Sequence, residues 1–398
     1  MTCSIARPPV TVLCGFLGAG KTTLLKHLLS QAGDRRWAVV VNDLATLNID
    51  AALVRDAAET GRKVVDLGNG CVCCSNRDEL GETLAELSAT GDYDHILVET
   101  TGVAEPRGVA ALFTQKNPFG RSLSDFARLS SLVSVVDAAH FLREWREYEV
   151  SGRRAFPGTG QRPVFELMLE QVECADVIVL GKRDLVSADA FEELEGIVRG
   201  LNPRAEMIAV EHGRVEAEWL LTRARFHPQE TLKAASWLGA LERLSPAGRE
   251  AKAPRSWIVN TAPAADAALP EHERRFGLKS IVYQRRRPFS EEKLRAFLLT
   301  EGQGILRAKG FFWTRERPDE MGFLSIAGGV VRLDYLSYWW AALIENGKAT
   351  LAARPTAIIG LWQDPAGDRR QEMVFIGKDL KEKTLYAQLD ACLDTSDN

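Results

Sequence analysis

The stretch GFLGAGKT, from Gly15 to Thr22, sets glycines, a lysine and a threonine in the pattern G-x-x-x-x-G-K-[ST]. These residue types at this spacing do phosphate chemistry. Glycines let the backbone curl so that its N–H groups face phosphate oxygens, and the helix that follows adds partial positive charge at its N-terminus. Lys21 is expected to reach the β- and γ-phosphates, and Thr22 to bind Mg²⁺ through its hydroxyl. The motif follows the apolar run VTVLC and opens the helical stretch TTLLKHLLSQA, the context that such a loop requires.

Two further segments belong to the same chemistry. HILVETTG, from His95 to Gly102, ends an apolar run in Glu99, expected to hold the Mg²⁺ shell or orient the attacking water, while the backbone N–H of Gly102 can approach the γ-phosphate. GKRD, from Gly181 to Asp184, follows the apolar run DVIVL where GTPases carry N-K-x-D to read the base. Asp184 is expected to accept from the guanine amino and ring N–H groups and Lys182 to pack over the base. Glycine replaces the Asn of that pattern, which removes one hydrogen bond, worth about 1 kcal/mol.

A different chemistry stands at LGNGCVCCSN, where Cys71, Cys73 and Cys74 occupy three of four positions. Thiolates suit Zn²⁺ and other soft metals, and three of them leave a fourth position open, as a carrier that releases its metal requires. A redox pair drawn from the same three cysteines is a second reading, and buried inert thiols a third. Cys3, Cys14, Cys174 and Cys392 are scattered and read as structural. Of the six histidines, His27, His140 and His212 have no local company that marks a ligand.

The elements that must position these residues alternate. Apolar runs at Val10, Trp37, His95, Leu132 and Asp176, and KVVDL before the cysteines, are Val/Ile/Leu-rich without strict alternation, as strands covered on both faces should be. Helical patterns such as Thr22–Ala32 and Arg77–Thr90 lie between them. This order predicts an α/β fold, a P-loop NTPase with a mostly parallel sheet, over residues 1–235. Residues 236–275, rich in Ala, Pro and charge, read as a linker interrupted by SWIVN, a candidate short strand. Residues 276–398 read as a smaller α+β domain, with strands at LKSIVYQ and GILRAKGFFWT, a helix at SEEKLRAFLLT opened by a Ser cap, and a final strand and helix in EMVFIGKDLKEKTLYAQLDACL.

Composition limits the partners. At 398 residues with a net charge of −4, the chain carries no dominant surface for nucleic acid or anionic membrane. No apolar run approaches the ~20 residues of a membrane span, and no signal-peptide core stands at the N-terminus. A cytoplasmic protein is expected. An odd count of seven cysteines, three of them clustered, argues against a secretory disulfide framework.

Taken together, GFLGAGKTTLL, GNGCVCC, ETTGVAEP and GKRDLV resemble the CobW-type GTPases in order and spacing, and RRRPF, RAKGFFW and AGDRRQEMVFIG resemble the C-terminal domain of their longer members. The resemblance implies GTP at Gly18, Ala19, Gly20, Lys21, Thr22 and Thr23, Mg²⁺ near Thr22 and Glu99, and Zn²⁺, or Co²⁺ in some relatives, at Cys71, Cys73 and Cys74. It implies slow GTP hydrolysis coupled to metal delivery to a client metalloprotein, with a homodimer left open. Two other functions remain beside that one: an activator that inserts metal into one enzyme such as a nitrile hydratase, and a nucleotide-dependent regulator whose cysteines sense metal or redox state. Four positions depart from the family's pattern: Thr46 stands for a Glu, Gly181 for the Asn, Ser290 for a His, and the linker carries His272 where relatives have a His-rich tract.

Overall fold

The computed structural model describes residues 7–41, 63–66, 76–104, 106–114, 120–151, 164–227, 278–300, 304–327 and 329–394. The chain forms two compact units. One joins Met1–Glu144 to Leu167–Ala235, the other Trp145–Glu166 to Ser236–Asn398.

Up to residue 221 the alternation seen in the sequence becomes β1 (Pro9–Cys14), α1 (Lys21–Ser30), β2 (Trp37–Val41), β3 (Lys63–Asp66), α2 (Asn76–Thr90), β4 (His95–Glu99), α3 (Pro106–Thr114), β5 (Arg128–Asp137), α4 (Ala138–Ser151), α5 (Val164–Cys174), β6 (Val177–Gly181), α6 (Ala188–Leu201), β7 (Glu206–Ala209) and α7 (Ala217–Leu221), all in the first unit except the end of α4 and the start of α5. The sheet runs β3-β2-β4-β1-β5-β6-β7, with every pair parallel.

Both faces of this sheet are covered, which is why its strands read as unbroken apolar runs. Successive strand residues point to opposite sides. Leu13, Val39, Val41, Val133 and Val135 pack with α1 and α7. Val10, Val12, Val40, Ile96 and Val98 pack with α2 and α3. Helix α1 is held by Leu24, Leu25, Leu28 and Leu29, all fully buried, each contributing roughly 2 kcal/mol.

Parallel pairing sends the C-terminal ends of all seven strands to one edge. β1 sits between β4 and β5, where the sheet's order departs from the chain's order on either side. Ligands of open α/β sheets bind at such a point, outside the carboxyl ends of the strands.

The second unit holds β8 (Leu278–Arg285), α8 (Glu291–Thr300), β9 (Ile305–Phe312), β10 (Glu320–Ala327), β11 (Val330–Tyr338), α9 (Trp340–Glu345), α10 (Thr356–Ile359), β12 (Gln371–Lys378) and α11 (Glu382–Ala391). Its sheet, β11-β10-β9-β12-β8, is antiparallel throughout. Leu294, Phe297 and Leu298 of α8 and Leu385 and Leu389 of α11 pack on one face, against Tyr283, Phe312 and Phe375. Asp390 pins α11 to β8. It takes the Arg285 guanidinium at 2.8 Å on each oxygen and accepts the Tyr283 hydroxyl at 2.9 Å.

The sequence reading names β8, β9, β12, α8 and α11 but omits the β10–β11 hairpin. Its signal is present: two β-rich runs flank Gly328-Gly329, a composition suited to a two-residue hairpin loop. SWIVN and the 236–275 linker lie outside the described residues.

Candidate functional site

The phosphate loop joins β1 to α1 at the crowded edge of the sheet. Gly20 takes φ 103° at the start of α1, in the left-handed region that favours glycine. Within the loop the Ala19 N–H donates to Phe16 O at 3.1 Å. Lys21 is buried, and its ammonium donates to Gly15 O at 2.8 Å and Phe16 O at 3.3 Å. The charge is thus held over the loop's own carbonyls. Gly18 and Thr23 are exposed, Ala19 is buried and Gly20 is half-buried.

Thr22 faces β4. Its hydroxyl donates to Glu99 Oε1 at 2.8 Å, although the two residues lie 77 positions apart. Parallel pairing of β1 with β4, Leu13 opposite Glu99, brings them together. Glu99 is buried. A hydroxyl and a carboxylate at this spacing form a hard oxygen donor set that fits Mg²⁺. Beyond Glu99, Thr100 donates to Leu13 O from both its N–H, at 3.0 Å, and its hydroxyl, at 3.2 Å. Gly102 then passes so close to the phosphate loop that a Cβ there would stand 2.5 Å from Leu17 N. No side chain fits at that position.

The third segment arrives on β6. Gly181 borders the phosphate loop: a Cβ there would be 3.7 Å from Ala19 O and from Val136 O, ordinary contact distances, so the glycine is not demanded by crowding. Lys182 takes φ 57°. Its ammonium pairs with Asp137 Oδ2 at 2.8 Å. Asp137 Oδ1 accepts the His140 N–H at 3.0 Å at the start of α4. Asp184 is exposed in the turn Arg183–Leu185. Asp137 therefore belongs with these residues, and sequence reading missed it because it stands at a strand end without a motif. Gln171 is a second such residue. It lies on α5 and donates to Gly102 O at 3.1 Å and Ala104 O at 3.3 Å.

The described cysteines and histidines outside the motifs behave as ordinary core and surface residues. Burial pushes the Cys14 thiol up to about 12, so it stays protonated. Cys174 and Cys392 are also buried and form no disulfide. His140 pairs with Glu144 at 3.4 Å and meets the Phe16 ring edge-on. Among the described residues no group of three or more His, Cys, Asp or Glu side chains is arranged to hold a metal ion. Cys71, Cys73, Cys74, Thr46 and the segment 42–50 lie outside the described residues.

A glycine-rich loop between a central parallel strand and a helix, with a lysine over the loop and a threonine beside a strand-end carboxylate, defines a P-loop nucleotide-binding protein. Comparison with known proteins narrows the class. Residues 9–209 match the family model described as CobW/HypB/UreG, nucleotide-binding domain, and residues 278–393 match the cobalamin synthesis protein cobW C-terminal domain. The chain belongs to the CobW/HypB/UreG family. It is 31% identical to the zinc-regulated GTPase metalloprotein activator 1 of Dictyostelium discoideum, over 97% of this chain and 80% of that protein. It is 35% identical to the zinc chaperone CobW of Pseudomonas aeruginosa over 54% of this chain and 58% of that one. It is 26% identical to the zinc chaperone YjiA of Escherichia coli over 95% of this chain and 96% of that one. No helix among the described residues is long and apolar enough to cross a membrane.

Proposed function

We propose that this protein is a GTP-hydrolysing metallochaperone that carries a transition metal, zinc first and cobalt second, on Cys71, Cys73 and Cys74 and delivers it to a client metalloprotein. Membership of the CobW/HypB/UreG family and the relatives named as a zinc-regulated GTPase activator and zinc chaperones support the reading. The observation that carries it is the shared sheet edge. β3 ends at Asp66, on the same side as the phosphate loop, and Cys71 follows five residues later. Five residues span at most about 17 Å, and three strand spacings, from β3 across β2 and β4 to β1, amount to about 14 Å. The thiolates are therefore within chain reach of the nucleotide.

The roles follow from the contacts. Lys21, Gly18, Ala19, Gly20, Thr22 and Thr23 hold the phosphates, with Lys21 turning its ammonium from the loop carbonyls toward them. Thr22 and Glu99 would hold Mg²⁺, whose charge would offset that of the phosphates. Glu99 also serves to orient the attacking water, and the Gly102 N–H meets the γ-phosphate. Lys182, steadied by Asp137, and Asp184 serve the base. Residues 1–235 form the GTPase domain, 236–275 a linker and 276–398 the C-terminal domain. The reading places the protein in the cytoplasm, where thiolates stay reduced.

If nucleotide state controls the thiolates, the control is reciprocal. Whatever factor GTP applies to zinc affinity, zinc must apply to GTP affinity. Titration of zinc-loaded and metal-free protein with a non-hydrolysable GTP analogue should give different dissociation constants, and Cys73→Ser should abolish the difference. Equal affinities for the two forms overturn the coupling. Retained zinc in Cys73→Ser removes that thiolate from the metal site.

A further inference from the structure

The turn that carries Gly102 is bridged by the side chain of Gln171. Resting on the GTPase reading above, we propose that Gln171 is a positioning residue for hydrolysis: it fixes the turn Thr101–Ala104 against the phosphate loop so that the Gly102 N–H is aimed before the γ-phosphate arrives.

The geometry begins with the turn itself. The Ala104 N–H donates to Thr101 O at 3.0 Å, so the Thr101 carbonyl points into the turn. In a trans peptide the N–H points opposite to the carbonyl, so the Gly102 N–H points outward. The next peptide is fixed separately. Gln171 Nε2 donates to Gly102 O at 3.1 Å and to Ala104 O at 3.3 Å, bridging the carbonyls on either side of Val103. A flip of the Gly102–Val103 peptide would break the first of these bonds. Leu17 N and Gly102 lie too close for a Cβ between them, so the turn sits directly against the outer end of the phosphate loop.

The donor stands on fixed ground. Gln171 is 2% exposed, between the buried Met168, Leu169 and Val172 of the same helix. The C-terminal end of α5 is tied down by Asn202, whose amide donates to Val172 O at 2.8 Å, Glu173 O at 3.2 Å and Ala175 O at 2.9 Å. Neither bond from Gln171 reaches the phosphate loop Gly15–Thr22; both end on the turn that carries Gly102. Its effect is confined to the turn that meets only the third phosphate, so hydrolysis depends on it and diphosphate binding does not.

The experiment compares the full chain with Gln171→Met, which keeps the length and loses the donor. Thermal unfolding of both is recorded first. A folded Gln171→Met should show kcat for GTP lowered roughly tenfold, with GDP affinity held within about twofold. It should also lose preference for a GTP analogue over GDP. An unchanged kcat, or equal losses in kcat and GDP affinity, overturns the proposal. If Gln171→Met does not fold, Gln171→Glu carries the same test: it donates only when protonated, so its rate should fall with rising pH relative to wild type, and a parallel profile counts against the proposal. If the wild type releases no phosphate from GTP, the GTPase reading fails. The affinity ratio of GTP analogue to GDP in the same pair of proteins then decides the role of Gln171, and an unchanged ratio overturns it.

Discussion

The antiparallel unit and the nucleotide edge of the parallel unit use charged side chains in opposite ways. In the antiparallel unit they saturate one another. Arg285 and Asp390 meet on both oxygens, Arg369 and Glu345 likewise at 2.7 and 2.6 Å, and Glu291 takes both Arg295 and Tyr335. These three carboxylates are held below their usual range, Asp390 and Glu345 chiefly by the arginine bonds, Glu291 by Tyr335 and Arg295 against the opposing cost of burial. At the edge of the parallel sheet the contacts are ones a ligand can take over. Lys21 rests on carbonyls, Thr22 donates to the carboxylate that would share Mg²⁺ with it, and Lys182 waits on Asp137. The difference teaches where chemistry is placed: fully matched pairs hold a scaffold, and exchangeable ones mark a site.

Three substitutions test this contrast, in falling order of effect. Lys21→Ala removes the charge meant for the phosphates and should lower GTP hydrolysis by roughly 10²–10³-fold, read as phosphate release. A variant that keeps wild-type turnover would remove Lys21 from the site.

The second concerns the opposite edge of the same sheet. His95 opens β4, 5% exposed, with its Nε2 2.9 Å from the Thr11 hydroxyl. Burial, and secondarily the charge of Arg128, lower it to about 4. The unfolded chain takes up the proton below about 6.5, whereas the folded protein refuses it until about 4. The stabilising contribution is therefore present above pH 6.5 and lost as pH falls toward 4, on the order of 3 kcal/mol. Unfolding in urea across that range should show the slope in wild type and a flatter one in His95→Gln. Equal slopes would place the titrating group elsewhere.

The smallest effect belongs to the second unit. Tyr283→Phe removes one hydroxyl bond to Asp390 and should cost about 1 kcal/mol, a shift in melting temperature with hydrolysis unchanged. A loss of turnover without a loss of stability would contradict the division between scaffold and site.

The parallel unit could be read from its residues because its signals are local. VTVLC, GFLGAGKT and TTLLKHLL each state a strand, a loop and a helix within a few positions, and HILVE and DVIVL carry the apolar continuity of strands covered on both faces. The β10–β11 hairpin escaped because EMGFLSIA and VVRLDYLSY mix small, polar and aromatic residues, which blurs the period-2 pattern of a half-buried strand. Residues Trp145–Glu166 group with the second unit although they stand between β5 and β6 of the first. No composition shift marks that excursion.

From its residues alone, the chain determined a phosphate loop, the order of strands and helices around it, and a cluster of three cysteines suited to a soft metal. Only the tertiary structure decided who meets whom. It set β4 between β2 and β1, which puts Glu99 beside Thr22. It also gave Lys182 to Asp137, 45 residues away, and the carbonyls of Gly102 and Ala104 to Gln171. The physical reason is range. Periodicity and loop motifs record interactions between neighbours in the chain, whereas a hydrogen bond across 77 positions leaves no period and no motif, only two polar residues that strand pairing happens to bring within 2.8 Å.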